Sequence, residues 1–354
     1  QLRLSLFLLP AFPKPFMGHI ADRVACGFAI IWRSSFYLFK MPEDLKFIGD
    51  TFDMLGSFPL GRGLTFDGIA STIEFALPSS NIANILEYED RVKEKPTLTI
   101  PACATLQRVL FKFVYGAYER DYSLAIPAMV CIEKTYKHMI QLMMIAIKND
   151  PKRDRNEEVS TVPDLELWHR LAIAYYSMST NPDEAITKQG LEGCQRHVFI
   201  SDVTEVPDKR WIVLLETMVN KQAPISAGTA RINSLSVIAQ LMIKTFPTMT
   251  TREANWQVLT EITKKVILIA DENMDERYRN QDSGMMYDLT VTVVQHLATQ
   301  LASPQFGGER RYCKWASQSF IKLLNKHEPT DEDDDDDDDS DAPVGSKEDD
   351  DDDD

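Results

Sequence analysis

The sequence predicts an all-α fold of stacked helical hairpins, followed by an acidic tail. Three observations lead there. Trp168, Trp211 and Trp256 lie 43 and then 45 residues apart, and each opens an amphipathic stretch. Leu171, Ala172 and Tyr175 follow the first, Leu214, Leu215 and Met218 the second, Leu259 and Ile262 the third, all at helical offsets that make one apolar stripe. Alternating apolar runs of strand length are scarce throughout. A period of about 40–47 residues is that of repeats in which a helix pair buries its stripe only by stacking on the next pair. The predicted class is therefore an α-solenoid of the HEAT/armadillo/TPR-like kind, which works through its surfaces.

The elements follow in order. Residues 1–18 read as a leader: an apolar run, then Pro10, Pro13 and Pro15. The chain opens on Gln rather than Met, so this run reads as the cut end of a longer protein or an imperfectly assigned gene start, with a secretory signal as the alternative. A first helical block spans 19–150. From His19 to Lys40 a helical pattern runs through Val24, Phe28, Ile31 and Trp32. Pro42, Glu43 and Asp44 restart the chain as a helix opening, proline in the first turn and acids at the positive end of the dipole. That helix is expected to break at Gly56–Pro59 and at Gly61-Arg62-Gly63, with a third from Phe66 to Leu77. Residues 79–98 read as a loop with at most a short helix. Ala102–Tyr115 and Leu124–Ile147 form a pair, Pro127 falling in the first turn of the second, where its missing N–H costs least.

Residues 151–162 are charged and nearly free of apolar side chains, which marks a linker. The Trp-led units then occupy 163–328. In the first, Leu165–Met178 is followed by Asn181 as a cap, Pro182 at the first position, and a helix carrying Ile186, Leu191, Cys194, Val198 and Phe199. In the second, the partner helix runs from Thr229 to Phe246. The third pairs Ala254–Ala270 with Met285–Leu301 across a polar turn at 271–283. A last helix, Arg311–Lys326, is expected to cap the stack with Trp315 and Phe320 inward.

Charge is distributed unevenly. The whole chain carries −16, and residues 331–354 alone hold 17 acidic residues and one lysine. The first 330 residues therefore balance 37 bases against 37 acids. A neutral body without a basic stripe argues against nucleic acid, which needs clustered Lys and Arg facing phosphates. Seven successive aspartates, Asp333–Asp339, and six more, Asp349–Asp354, repel one another and bury nothing, so 329–354 is expected to be disordered. Three roles suit such a tail: a lure for a basic partner, an electrostatic brake on binding anionic membranes, or a solubilising appendage. The five cysteines are scattered and odd in number, which suits a reducing cytoplasmic setting rather than a disulfide framework. No stretch reaches the roughly 18 apolar residues that a transmembrane segment needs.

No catalytic constellation, metal-ligand spacing or cofactor loop is found, so no catalytic, cofactor-binding or metal site is assigned and no cofactor is expected. Gly61-Arg62-Gly63 lacks a phosphate loop's lysine and reads as a turn. His169 and His197 lie on paired helices and read as ordinary helix histidines, with a metal or acid–base pair as the sharper alternative. Phe111, Phe113, Tyr115, Tyr118 and Tyr122 lack surrounding bases and read as packing residues rather than a base-stacking surface. Met139, Met143 and Met144 read as a core face, with an adaptable partner groove as the alternative.

The units also resemble a known family. Leu167-Trp168 with Leu171 and Ala172, then Asp183 through Gly190-Leu191 to Cys194-Gln195-Arg196, then Arg210-Trp211 with Leu214-Leu215 are similar to the region downstream of the catalytic domain in large ARF guanine-nucleotide exchange factors of the Golgi brefeldin A-resistance, GNOM and Gea type. Upstream, Asp22-Arg23-Val24-Ala25 and the helices to about Ile147 resemble the preceding homology block of that family. The resemblance spans roughly 19–325. It contains no counterpart of the family's catalytic glutamate-finger domain, and the polyaspartate tail departs from the family pattern. It implies a non-catalytic regulatory scaffold, peripheral at Golgi membranes from the cytoplasmic side. Such a scaffold supports regulation of ARF activation in vesicle-mediated transport by binding an ARF/Rab-type small GTPase, Golgi lipids or proteins. The alternative is a HEAT-like adaptor or histone-chaperone-type protein whose acidic tail binds or screens a basic partner.

Overall fold

The structure, a computed structural model, describes residues 14–78, 84–118, 120–149, 165–201, 203, 205–223, 227–275, 283–304 and 311–327. These residues form thirteen α-helices and no strand. The first six are α1 Lys14–Ser35, α2 Pro42–Gly56, α3 Pro59–Ala76, α4 Ile85–Glu94, α5 Ile100–Val114 and α6 Ala125–Lys148. After them come α7 Leu165–Ser179 and α8 Glu184–Gly193, which runs on as a π-helix over Cys194–Phe199. The last five are α9 Asp208–Asn220, α10 Thr229–Met249, α11 Trp256–Met274, α12 Ser283–Ala302 and α13 Arg311–Lys326. The expected linker, 151–162, and the acidic tail, 329–354, lie outside the described residues.

Helices begin where local chemistry satisfies their free N–H groups. The Asn84 side chain caps α4 by accepting from Leu86 N at 2.9 Å, and Thr99 caps α5 by accepting from Ala102 N. Pro42 and Pro59 open α2 and α3, where a missing N–H costs nothing. Gly116 ends α5 with φ +58, and a Cβ there would lie 2.5 Å from the Tyr122 ring, so the turn into α6 requires glycine on both counts.

Several sequence expectations need correction. Residues 14–18, expected in the leader, belong to α1. Gly61 and Gly63, expected in a turn, lie inside α3, because Pro59 starts that helix two residues earlier. Tertiary packing holds them there: Arg62 between them is buried, donates to Gly56 O at 3.4 Å and pairs with Asp121 at 2.6 Å. The cap of α8 is Asp183, which accepts from Ile186 N at 3.1 Å; Asn181 instead accepts from Asp183 N, shaping the turn ahead of it. Helix α11 continues through Met274, so residues 271–274, expected in the polar turn, are helical; 276–282 lie outside the described residues.

The helices touch in two series. In one, α2 packs on α5, α5 on α7, α7 on α9, α9 on α11 and α11 on α13. In the other, α3 packs on α6, α6 on α8, the π-helix on α10 and α10 on α12. Within each hairpin, α5 and α6, α7 and α8, α9 and α10, and α12 and α13 also pack together. One hydrophobic core runs without a break from Ala25 to Leu323. Every stripe residue named after Trp168 and Trp211 is buried in it, as are Leu259 and Ile262.

The tryptophans divide. Trp168 and Trp211 are 1 % and 0 % exposed and meet edge to face at 4.9 Å, joining the first two Trp-led units. Trp256 is only half-buried and lies against Tyr312 at 6.3 Å, so it holds α11 to α13 from the side rather than from the core. Phe320 is buried as expected, whereas Trp315 is half-buried.

Helices α7 and α8 approach closely because of Gly190. A Cβ on Gly190 would stand 2.3 Å from Ser179 N and 2.6 Å from Met178 C, both backbone atoms that cannot yield cheaply. Gly190→Ala is therefore expected to cost about 2 kcal/mol by prising the hairpin open, measured by urea unfolding. An alanine variant as stable as the parent would show the two helices to be less closely packed.

Candidate functional site

One cluster of titratable groups lies at the seam where α6 meets α7, α8 and the π-helix. A π-helix widens the turn and re-aims the side chains it carries. Here it presents Arg196 and His197 to α6. Tyr175 donates its hydroxyl proton to Glu133 of α6, and Arg196 reaches the same carboxylate at 3.5 Å. Burial, reinforced by the hydrogen bond to Glu133 and its charge, pushes the Tyr175 hydroxyl well above the ordinary phenol range. The His197 ring stands among Tyr136 at 5.3 Å and Trp168 and Tyr175 at 6.0 Å each. Its Nε2 lies 3.2 Å from Trp168 O, and since a carbonyl only accepts, this nitrogen carries the proton. Burial disfavours the imidazolium and lowers the His197 pKa to about 4.

These groups are occupied with one another. Trp168 donates to Ser201 Oγ at 3.0 Å, and Ser201 donates to His197 O at 2.7 Å, so the seam is stitched from both sides. Cys194 is fully buried, its thiol pushed up to about 12 by burial alone, which keeps it far from the reactive thiolate. The seam holds the first helical block to the Trp-led units.

Several other buried polar groups are likewise joined to neighbours, whereas Trp32 Nε1, Thr65 Oγ1 and His169 Nδ1 are buried without a hydrogen-bond partner among the described residues. Tyr176 donates to Met218 O at 2.8 Å, lies 2.5 Å from Ser234 Oγ and accepts from Gln222 Nε2 at 2.8 Å, linking α7, α9 and α10. Arg231 of α10 reaches Asn273 at 3.1 Å, Glu272 at 2.8 Å and Ala223 O at 2.8 Å. In α6, His138 is fixed between the Tyr88 hydroxyl at 2.6 Å and Leu98 O at 2.8 Å, and burial lowers its pKa.

The sequence candidates fall out as follows. His197 enters the aromatic seam, while His169 of α7 is half-buried with its pKa lowered by burial. Among the described residues no group of three or more His, Cys, Asp or Glu is placed to hold a metal ion. Of the aromatic cluster, Phe113 and Tyr118 pack edge to face at 5.0 Å in the core, Phe111 stacks on Tyr115 at 6.0 Å, and Tyr115 is exposed. Met139 is buried, and Met143 and Met144 are half-buried. No described helix is long and apolar enough to cross a membrane.

Three clefts open to the surface among the described residues. One of about 860 Å³ lies between α8 and α10, and Glu184, Lys188 and Glu192 give it mixed charge. A second, of about 550 Å³, is walled by the ends of α1 and α3 and by the strap before α5, and its only charged residues are Arg33 and Lys95. Both cations lie over the Phe75 ring, at 5.5 and 5.9 Å from its centre. A third, of about 390 Å³, is walled by the starts of α2 and α5 and carries Lys40, Lys46, Arg108 and Arg170. Neither of the last two has a carboxylate in its walls. The charge balance of the body, even overall, conceals this concentration, and here the expectation of a body without clustered bases needs correction. The six residues span positions 33 to 170, so only folding brings them to the clefts.

No protein-family model, curated protein or solved structure matches this chain.

Proposed function

We propose that the chain is a non-catalytic α-solenoid scaffold, the regulatory region of a Golgi ARF guanine-nucleotide exchange factor. In that role it supports membrane recruitment and the regulation of ARF activation in vesicle traffic. One observation carries the scaffold part: two series of helices in which each helix packs on its counterpart in the next hairpin, joined across the first repeat boundary by Trp168 against Trp211. The tying of Glu133, Tyr175, Arg196 and His197 into one seam favours it too, since the groups best suited to proton transfer already hold the fold together. The link to exchange factors rests on the resemblance of the segments around Trp168, Arg196 and Trp211. Binding to a small GTPase, to lipids or to Golgi proteins then falls to the exposed clefts.

The test is nucleotide release from a GDP-loaded ARF-type GTPase in the presence of this chain alone. The expected rate equals the intrinsic one. Clear acceleration would make the chain an exchange catalyst and overturn the non-catalytic reading.

A further inference from the structure

We infer that the turn joining α1 to α2, together with the two cation-walled clefts beside it, is a docking surface for a bilayer of anionic phospholipid. The inference deepens the membrane recruitment proposed above and rests on it. Continuity is the first argument. Phe36 and Tyr37 line the larger of these clefts, and Lys40 and Pro42 line the smaller. Lys40 follows Tyr37 by three positions, so their Cα atoms stand at most about 11 Å apart and the clefts flank one short turn. That turn is an apolar ridge. Leu38 and Met41 are each more than half exposed, as are Ile30 and Phe75 in the larger cleft, and Tyr37 is exposed beside them. Large apolar side chains gathered in this way mark a surface that something covers.

Charge is the second argument. The walls of the two clefts hold six cations and no carboxylate. Arg108 and Arg170 are paired, with Asp50 at 2.9 Å and Glu166 at 3.2 Å. Arg33, Lys40, Lys46 and Lys95 have no carboxylate partner among the described residues. Lys95 donates to Phe75 O at 3.1 Å, which engages one of its three N–H groups. The acids next to the larger cleft in sequence turn to other cations, Glu74 to Lys134 at 3.6 Å and Glu94 to Arg91 at 3.1 Å. Glu43 and Asp44 stand in the first turn of α2, where the positive end of the helix dipole faces them.

An apolar ridge between two cationic clefts has the layering of a membrane interface. The ridge enters the boundary between headgroups and acyl chains, the tyrosine sits at headgroup level, and the lysines and arginines stay with the phosphates. The same layout disfavours a second copy of this chain as the occupant. A two-fold contact through the ridge would set cationic clefts against cationic clefts, whichever pair met.

The test labels the full chain with a polarity-sensitive dye at Leu38→Cys, with Cys26, the exposed cysteine, replaced by serine. Vesicles of phosphatidylcholine alone are compared with vesicles containing about one third phosphatidylserine, at about 0.15 M salt. The expected result is binding to the anionic vesicles only, weakening as salt is raised, with the dye emission shifted to the blue. Dye at Leu268→Cys of α11, also more than half exposed, is expected to stay in water. The doubly substituted chain Arg33→Glu, Phe75→Ser is expected to bind at least about tenfold more weakly. Both side chains are exposed, so unchanged helical circular dichroism will show that the fold is intact. An equal blue shift at Leu268, or an affinity that the double substitution leaves unchanged, would overturn this surface while leaving membrane recruitment standing. Failure to bind either vesicle would also overturn it, and sedimentation with Golgi membranes would then assign recruitment to a protein receptor. A dimer that forms without vesicle binding and is abolished by the double substitution would make a second copy the occupant.

Discussion

Trp211→Ala is expected to lower the unfolding free energy by about 4 kcal/mol, because a fully buried indole leaves a cavity that rigid helices cannot close. The side chain is 0 % exposed, meets Trp168 edge to face at 4.9 Å and lies within α9, whose Leu214, Leu215 and Met218 are also fully buried. Loss of this contact strikes the boundary between two units. In a stack of units each touching only its neighbours, the urea transition should therefore broaden or split as well as shift. Trp256→Ala provides the contrast. Its ring is half-buried against Tyr312, so a loss of about 1–2 kcal/mol and no splitting are expected. Equal effects of the two substitutions would remove the distinction between a core tryptophan and a flanking one.

Acid should destabilise the chain between pH 6.5 and 4, by about 3 kcal/mol from His197 alone. In the unfolded chain an imidazole takes up its proton near pH 6.5; in the fold, burial delays this for His197 to about pH 4. Over that interval the unfolded state holds a proton that the native state lacks, so stability is full above pH 6.5 and declines as pH falls. His138 and His169, both lowered by burial, act in the same direction. Asp121 acts later. Hydrogen bonds from Ser123, then from Arg62, hold its pKa at about 2 rather than 3.8, so its contribution is lost only below the ordinary carboxylate range. His197→Gln keeps an amide N–H for Trp168 O and removes the titration. Its urea midpoint should vary much less between pH 7 and pH 5 than that of the parent. An unchanged pH dependence in His197→Gln would move the effect to other groups.

Most helices and their order were legible because apolar periodicity is strong over long stretches, and the stripes behind Trp168, Trp211 and Trp256 all lie in the core; α4, short and largely polar, lies where a loop with at most a short helix was expected. Boundaries were less legible for local reasons. Gly61 and Gly63 carry a turn signal worth about 1 kcal/mol each, and the partly buried Arg62–Asp121 pair with its aromatic neighbour Tyr118 overrides it. Asn181 and Asp183 both suit a cap, and hydrogen bonding decides for Asp183. The seam escaped sequence reading because a π-helix has no apolar period of its own, and Glu133 and Tyr175 stand 42 residues apart. The cation-walled clefts escaped it because charges summed along the chain cancel, whereas charges facing one cleft do not.

In the proposed role the helical body, rather than the acidic tail, recruits this chain to Golgi membranes. Sedimentation with Golgi membranes, comparing the full chain with one ending at Thr330, tests it most directly. The shortened chain is expected to sediment at least as strongly as the full one. Loss of sedimentation on removing 331–354, restored by neither lower nor higher salt, would place recruitment in the tail, and absence of sedimentation in both chains would contradict the scaffold reading outright.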